Sequence, residues 1–202
     1  AEVARLLLGA GAAVNAANHY GYTALDLAVA NEQAELAEVL TAAGGMQIAI
    51  QPAEVTRLSG GVSRILFPFG NVSNIAVVCS DKGMRLVDTG FTRRALDELR
   101  KALQDLGGGE LRYLINTHLH PDHIAGNGIA GARTVLINPD NLVELASEGV
   151  LQRRSGGEIA DVYYSLSFGG EEVRLIPYPG IHTDSDLIVH FTGSDVVHMG
   201  DL

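Results

Sequence analysis

The sequence has no tryptophan and a single cysteine, Cys79. One cysteine cannot close an internal disulfide, so the redox compartment stays open. Its setting, the apolar run "NIAVVCS", reads as a small hydrophobe buried on a strand. Basic residues are scarce: 14 Lys plus Arg face 24 Asp plus Glu, a formal charge of −10. That balance argues against a protein that wraps a nucleic-acid backbone, which needs a basic face. No apolar run reaches the roughly eighteen residues that a membrane-spanning helix requires. Low-complexity blocks and a signal peptide are missing too. A helical pattern already runs at Ala1, so the natural N-terminus is expected upstream, and whether the protein is cytoplasmic or exported stays open. What remains is a composition suited to burying a proper core, with 47% hydrophobic and 19% charged residues.

Two regions with different patterns follow one another. "AEVARLLLGAGA" (1–12) and "AELAEVLTAAGG" (34–45) align at a shift of 33 residues, with Ala1, Glu2, Ala4, Leu7, Ala10 and Gly11 meeting identical partners. Val3 meets Leu36, and Leu6 meets Val39. A 33-residue period is the ankyrin spacing. Thr23 to Ala28, "TALDLA", resembles that family's helix start, with Thr23 as the expected N-cap. Residues 1–45 therefore resemble about one and a half ankyrin repeats, an all-α segment that needs stacked neighbours to bury a core. The resemblance implies a protein-binding surface or a structural cap. His19 falls in the inter-repeat loop and reads as solvated.

Gly44-Gly45 ends this pattern, and residues 46–202 form the second expected domain. Strands are expected at 46–50, 54–58, 63–67, 74–80, 84–88, 112–117, 134–138, 161–168, 171–177, 186–191 and 195–199, with "SDKG" (80–83) as a hairpin turn. Leu96, Leu99, Leu103 and Leu106 fall on one face of a helix that Gly107-Gly108-Gly109 stops. A second helix is expected over 140–151. "MRLVD", the leucine-faced helix and "LRYLINT" make a βαβ unit, whose parallel strands end at one sheet edge. Asp88 and the loop at His118 should then be neighbours.

That loop, "NTHLHPDHIAGN", holds three of the seven histidines and an aspartate within six positions. In an extended segment His118 and His120 point to one side and can grip one metal ion. Asp122 and His123 can turn towards a second position. Imidazoles with a carboxylate suit zinc, with iron or manganese as alternatives. A catalytic zinc usually has three protein ligands, and His182 in "PGIHTDSD" is the candidate third partner of His118 and His120. Asp201 in "VVHMGDL" ends another strand and can bridge two ions, an arrangement that generates hydroxide at neutral pH. Pro121 stiffens the turn, and Gly126 lets the backbone pass close by. His190 and His198 alternate with apolar residues and read as packed strand positions rather than ligands.

"NIAVVCSDKGMRLVDTG", "INTHLHPDHIAGN", "GIHTDSD" and "HMGDL", in this order, resemble the motifs of metallo-β-lactamase-fold hydrolases over residues 52–202. The resemblance implies an α+β fold, the αββα sandwich with its metals at one edge of two sheets. It implies His118, His120 and His182 as ligands of a first zinc, Asp122 and His123 as ligands of a second, and Asp201 as the bridging carboxylate. Asp88 becomes a supporting carboxylate behind the ligands, metal-bound hydroxide the nucleophile, and Asp122 a catalytic proton carrier. His123 after Asp122 is similar to the thioesterases, lactonases and dihistidine lactamases of the family. The wording around His182 and Asp201 is similar to that of a bacterial group of metallo-hydrolases. In the family a final histidine, in a G-H-G-type turn, completes the second metal site beyond the bridging aspartate. The chain stops at Leu202 and is read as a fragment cut at both ends, with the sandwich incomplete at its C-terminus. The expected function is a zinc-dependent hydrolase of an ester, thioester or amide (lactam) bond in a small-molecule substrate, without nucleic-acid or membrane partners. The alternative is an ankyrin-mediated interaction module carrying a degenerate hydrolase domain. A phosphodiesterase or nuclease is disfavoured by the acidic balance and the lack of a basic patch.

Overall fold

A computed structural model describes residues 1–18, 21–48, 52–67, 73–90, 95–156 and 160–202. The chain separates into two compact units, one comprising 1–52 with 67–72 and the other 53–66 with 73–202.

The first unit is helical. Helices α1 (Glu2–Gly9), α2 (Ala24–Ala30) and α3 (Ala34–Ala42) gather Leu25, Ala28 and Leu40 into a small core, against which Leu8, Val14, Leu36 and Ala37 pack. Thr23 caps α2 as its sequence predicts. Its hydroxyl accepts from the Asp26 amide, while the Asp26 carboxylate accepts from the Thr23 amide, a reciprocal capping box. The strand expected at 46–50 does not form over Met46–Ile48, and residues 49–50 lie outside the described residues. The competing bonds are local: the Met46 carbonyl accepts from Thr23 Oγ1, the Met46 amide donates to Asn15 Oδ1, and the Ile48 amide donates to Asp26. Side chains of the helical unit thus take the backbone groups that a sheet ladder would have used. His19 also lies outside the described residues.

The second unit is a two-sheet sandwich. Strands β1 (Glu54–Arg57), β2 (Val62–Leu66), β3 (Ile75–Ser80), β4 (Gly83–Val87), β5 (Leu111–Ile115) and β6 (Val135–Ile137) form one sheet in sequential order. Strands β7 (Gln152–Ser155), β8 (Val162–Phe168), β9 (Glu171–Pro177), β10 (Leu187–Phe191) and β11 (Val196–His198) form the other, ordered β11-β10-β9-β8-β7. Alternate residues of both sheets meet in one core: Val62, Ala76, Val87, Ile115 and Ile137 from the first, Leu166, Val173, Leu175, Val189 and Phe191 from the second. The opposite face of the first sheet is also buried, with Ile75, Leu86 and Leu114 at 0% exposure. Helix α4 (Ala95–Asp105) buries Leu96, Leu99 and Leu103, and its Arg100, Leu103 and Gln104 share a surface hollow with Met84 of β4 and Leu111 of β5. This supplies one helical layer of the expected αββα arrangement. As the βαβ reading requires, β4 and β5 pair in parallel.

Two expectations need correction. The helix expected over 140–151 is shorter: a 3-10 turn at Pro139–Asn141 leads into α6 (Leu142–Ser147), and Gly149 ends it with a positive φ of 77°. After it comes β7, absent from the sequence reading because "QRRS" has no apolar alternation. Its four residues are all exposed, and only pairing to β8 along the sheet edge makes them a strand. Cys79 lies on β3 as expected but is half-buried rather than buried. Burial pushes its thiol pKa up.

Candidate metal centre

The ends of four strands, β4, β5, β9 and β11, and one short helix deliver the polar residues singled out above. Where β4 ends, Asp88 takes a left-handed φ of 61°, unusual for a residue other than glycine. Its carboxylate, fully buried, turns towards the end of the neighbouring β5. Oδ1 accepts from the Thr117 amide at 2.8 Å, and Oδ2 accepts from the Thr117 hydroxyl at 2.8 Å. Oδ2 also stands 2.7 Å from His123 Nδ1. Thirty residues of chain are thus closed into one contact, as the parallel pairing predicts. After Thr117 come His118, then His120, the N-cap of the one-turn helix α5 (Pro121–Ile124), which carries Asp122 and His123.

These contacts fix the tautomers of the two inner histidines. A carboxylate only accepts, so His123 carries its proton on Nδ1 and leaves Nε2 as a lone pair. The Thr117 hydroxyl spends its hydrogen on Asp88, so at 3.1 Å it accepts from His118 Nδ1 and frees His118 Nε2 likewise. Both Nε2 atoms are buried, and neither has a hydrogen-bond partner among the described residues. Carboxylate oxygens do stand near His123 Nε2, Asp201 Oδ1 at 3.1 Å and Asp122 Oδ2 at 3.4 Å. With its proton on Nδ1, neutral His123 has no hydrogen on Nε2 to give these oxygens, so nitrogen and carboxylates meet there as lone pairs. Convergence of lone pairs is what metal ligands show, and a buried unpaired imidazole nitrogen is costly otherwise. The donor set therefore fits a divalent cation.

His120 and His182 complete the cluster from the solvent side. His182 Nε2 lies 3.0 Å from His120 Nδ1 and 3.5 Å from Asp201 Oδ2. Two overlapping groups result. His118, His120 and His182 bring one nitrogen each within 4.8 Å of one another, and His118, His123 and Asp201 do the same with their ligand atoms. His118 belongs to both. Asp122, which the sequence pairs with His123, stands at the margin of the second group.

Electrostatics separate the two buried rings. Burial and the neighbouring His123 ring hold His118 below the ordinary histidine range, which favours the neutral form that ligates. For His123, burial also disfavours the charged form, but the hydrogen bond and charge of Asp88, with Asp122 and Asp201, carry the net shift upward.

Residues that the sequence reading passed over hold the ligands in place. Asp186, buried, accepts from the amides of His182 and Thr183 and from the Thr183 hydroxyl, fixing the loop that presents His182. His198 is packed on β11 as expected, yet both ring nitrogens work: Nε2 donates to the Asn74 carbonyl at 2.8 Å and Nδ1 accepts from the Gly200 amide. The turn that carries Asp201 is thereby tied to the first sheet. Gly200 sits at φ 60°, where a Cβ would lie 2.8 Å from Thr117 Oγ1, and a Cβ on Gly126 would lie 2.5 Å from the Thr89 carbonyl. Both glycines are required by close approach, as expected for Gly126. A polar residue at a strand boundary was the available signal for Thr117, after β5, and for Asp186, immediately before β10. His190 is outside the cluster, 3.6 Å from Asp195 on the β10–β11 hairpin.

Comparison with known proteins agrees with this architecture. The chain resembles the sec-alkylsulfatase Pisa1 from Pseudomonas sp. with a TM-score of 0.52 at 17% identity, over 70% of this chain and 30% of that one. It resembles a β-lactamase from Chitinophaga pinensis at 0.51 and 18%, over 69% and 57%. A metallo-β-lactamase from Cronobacter sakazakii gives 0.50 and 17%, over 72% and 61%. The chain thus spans less than two thirds of the length of each, and at these identities the likeness is one of fold. The sequence description of the Metallo-beta-lactamase superfamily matches residues 68–202, and the chain belongs to that superfamily.

Proposed function

We propose that the chain carries the metal centre of a hydrolase that cleaves an ester, thioester or amide (lactam) bond in a small molecule. The observation that carries this reading is the pair of buried Nε2 atoms of His118 and His123, both freed by their Nδ1 partners and facing further donors. In this reading His118, His120 and His182 hold one ion, and Asp122 and His123 hold a second, with Asp201 shared between them. Zinc suits this nitrogen and oxygen set, as do iron and manganese. When bound, such ions polarise a substrate oxygen and make water nucleophilic at neutral pH. The chain's own groups do the rest. Asp88 and Thr117 keep the two inner rings in the ligating tautomer. Asp122, with its side chain 13% exposed at the margin of the cluster, is placed to carry a proton between water and the leaving group. The loop bound by Asp186 orients His182. Incubating the zinc-loaded chain with a panel of esters, thioesters and lactams tests the reading: turnover of at least one class that disappears in Asp122→Asn supports it. A protein that holds zinc yet turns over none of them contradicts the hydrolase assignment.

A second reading concerns the helical unit, as an ankyrin-like segment that recruits a protein partner. Val3, Leu6 and Leu7 of α1 are 69%, 69% and 56% exposed. Their counterparts at a shift of 33 residues, Leu36, Val39 and Leu40, include two that pack into the small helical core. The apolar face of α1 is thus of the kind that α3 uses to dock. Measuring whether Val3→Glu/Leu7→Glu abolishes capture of a partner by the helical unit checks this, and unchanged capture refutes it.

A further inference from the structure

Helix α5 is a single turn of four residues, too short to hold itself. The carbonyls at its C-terminal end lack intrahelical donors. What they accept instead comes from elsewhere in the chain. The Asp122 carbonyl accepts from Ser73 Oγ at 2.9 Å. The His123 carbonyl accepts from the Thr89 amide at 2.9 Å, from Thr89 Oγ1 at 3.0 Å and from Asn116 Nδ2 at 3.3 Å. Behind them Asn116 and Asn127 exchange amide bonds, Nδ2 to Oδ1 at 3.2 Å in one direction and 2.9 Å in the other. Thr89 Oγ1 shares its hydrogen with Asn127 Oδ1 at 3.2 Å. Thr89 and Asn116 are each 1% exposed.

We propose that Ser73, Thr89, Asn116 and Asn127 are positioning residues that set the Asp122–His123 half of the centre independently of the His118–His120–His182 half. The proposal rests on the metal-binding reading above. Each of these side-chain bonds ends on the main chain of Asp122 or His123, or on another member of the group. A buried amide is expensive unless satisfied, so apolar packing would fill this space at less cost. What the satisfied network adds is a fixed location for two carbonyls whose own side chains face the cluster. His118 is held by Thr117 and His182 by Asp186, while Asp88 serves both halves, through Thr117 and through His123. The side-chain bonds of Ser73, Thr89, Asn116 and Asn127 given above end on none of Thr117, Asp186 and Asp88. Loosening the cradle should therefore act on one half only.

The test is a stepwise titration of the chelator-stripped chain with Co2+, followed by ligand-field absorption, for wild type, Asn127→Ala, Thr89→Val and Thr89→Ser. Asn127→Ala and Thr89→Val are expected to weaken the second binding step about ten- to a hundredfold, the range for partners that orient a ligand. The first step should stay within about twofold, the scatter of independent sites. Thr89→Ser keeps the hydroxyl and should restore the second step. If Asn127→Ala does not fold, the Val and Ser pair at Thr89 decides alone. Parallel weakening of both steps, or no change in either, overturns the proposal while leaving the metal-binding reading intact. A wild-type chain that binds no Co2+ overturns that reading and this proposal with it.

Discussion

Replacing Asp88 by Asn changes one atom at the most connected carboxylate of the centre. Asparagine tolerates a left-handed φ, so the 61° at this position is no obstacle and the backbone should stay where it is. The effect falls on hydrogen bonding. Asp88 is fully buried and accepts from the Thr117 amide, the Thr117 hydroxyl and His123 Nδ1. An amide has one acceptor oxygen, so its NH2 must face either the Thr117 amide or the His123 ring. The first choice leaves a buried donor opposite a donor, at a cost of about 1–3 kcal/mol. The second reverses His123, moves its proton to Nε2 and removes the lone pair from the cluster. In the metal-free chain we expect a melting temperature lower by about 2–4 °C per kcal/mol lost, the usual scale for a chain of this size. Zinc affinity should fall by about ten- to a hundredfold. Differential scanning calorimetry of the stripped protein and competition with a chromophoric chelator read the two quantities separately. Asp88→Asn with wild-type melting and wild-type zinc affinity would falsify the claim that Asp88 sets the His123 tautomer.

Three further outcomes follow from the same geometry. Gly200→Ala puts a Cβ 2.8 Å from Thr117 Oγ1 at a φ of 60°, so it should destabilise the metal-free chain by about 1–2 kcal/mol in urea titration; a neutral effect would show that the Asp201 turn is not packed on Thr117. The Asp186 carboxyl is buried, which raises its pKa, but the bonds from Thr183 and His182 outweigh burial and hold it below the ordinary range. Because its folded pKa is depressed, it stabilises above the unfolded value of about 4, and that stability is lost as pH falls through the folded value. Asp186→Asn should therefore flatten the acid limb of the melting curve, and an unaltered limb would contradict the assignment. Phe191→Ala empties a fully buried site in the inter-sheet core and should cost about 3–5 kcal/mol by chemical denaturation, with a loss under 1 kcal/mol refuting the sandwich core.

Long apolar alternations made most of the sandwich legible. "IAVVCS", "MRLVD" and "LIVHF" each became the strand expected of them, because alternate residues of such runs have two buried faces or one to fill. The parallel β4–β5 pair, and with it the meeting of Asp88 and the histidine loop, followed from one amphipathic helix lying between two strands. What stayed hidden depends on partners distant in sequence. Nothing in "QRRS" marks a strand until β8 lies beside it, and "MQI" resembles a strand until Thr23, Asn15 and Asp26 capture its backbone. At the centre, the dense H-x-H-x-D-H spacing marked the histidines, whereas Thr89, Asn116, Asn127 and Asp186 carry no spacing signal. Their roles exist only in the bonds they make to main-chain groups and to one another, up to dozens of residues away.

The central claim is that the freed nitrogens of His118 and its neighbours bind metal, and His118 belongs to both ligand groups. Zinc titration of the stripped chain by isothermal calorimetry, wild type against His118→Ala, tests it most directly. The account predicts tight zinc binding by the wild type and loss of the tight step in His118→Ala, with the far-ultraviolet circular dichroism of the two proteins unchanged. Equal zinc binding by both proteins, or none by the wild type, would contradict it.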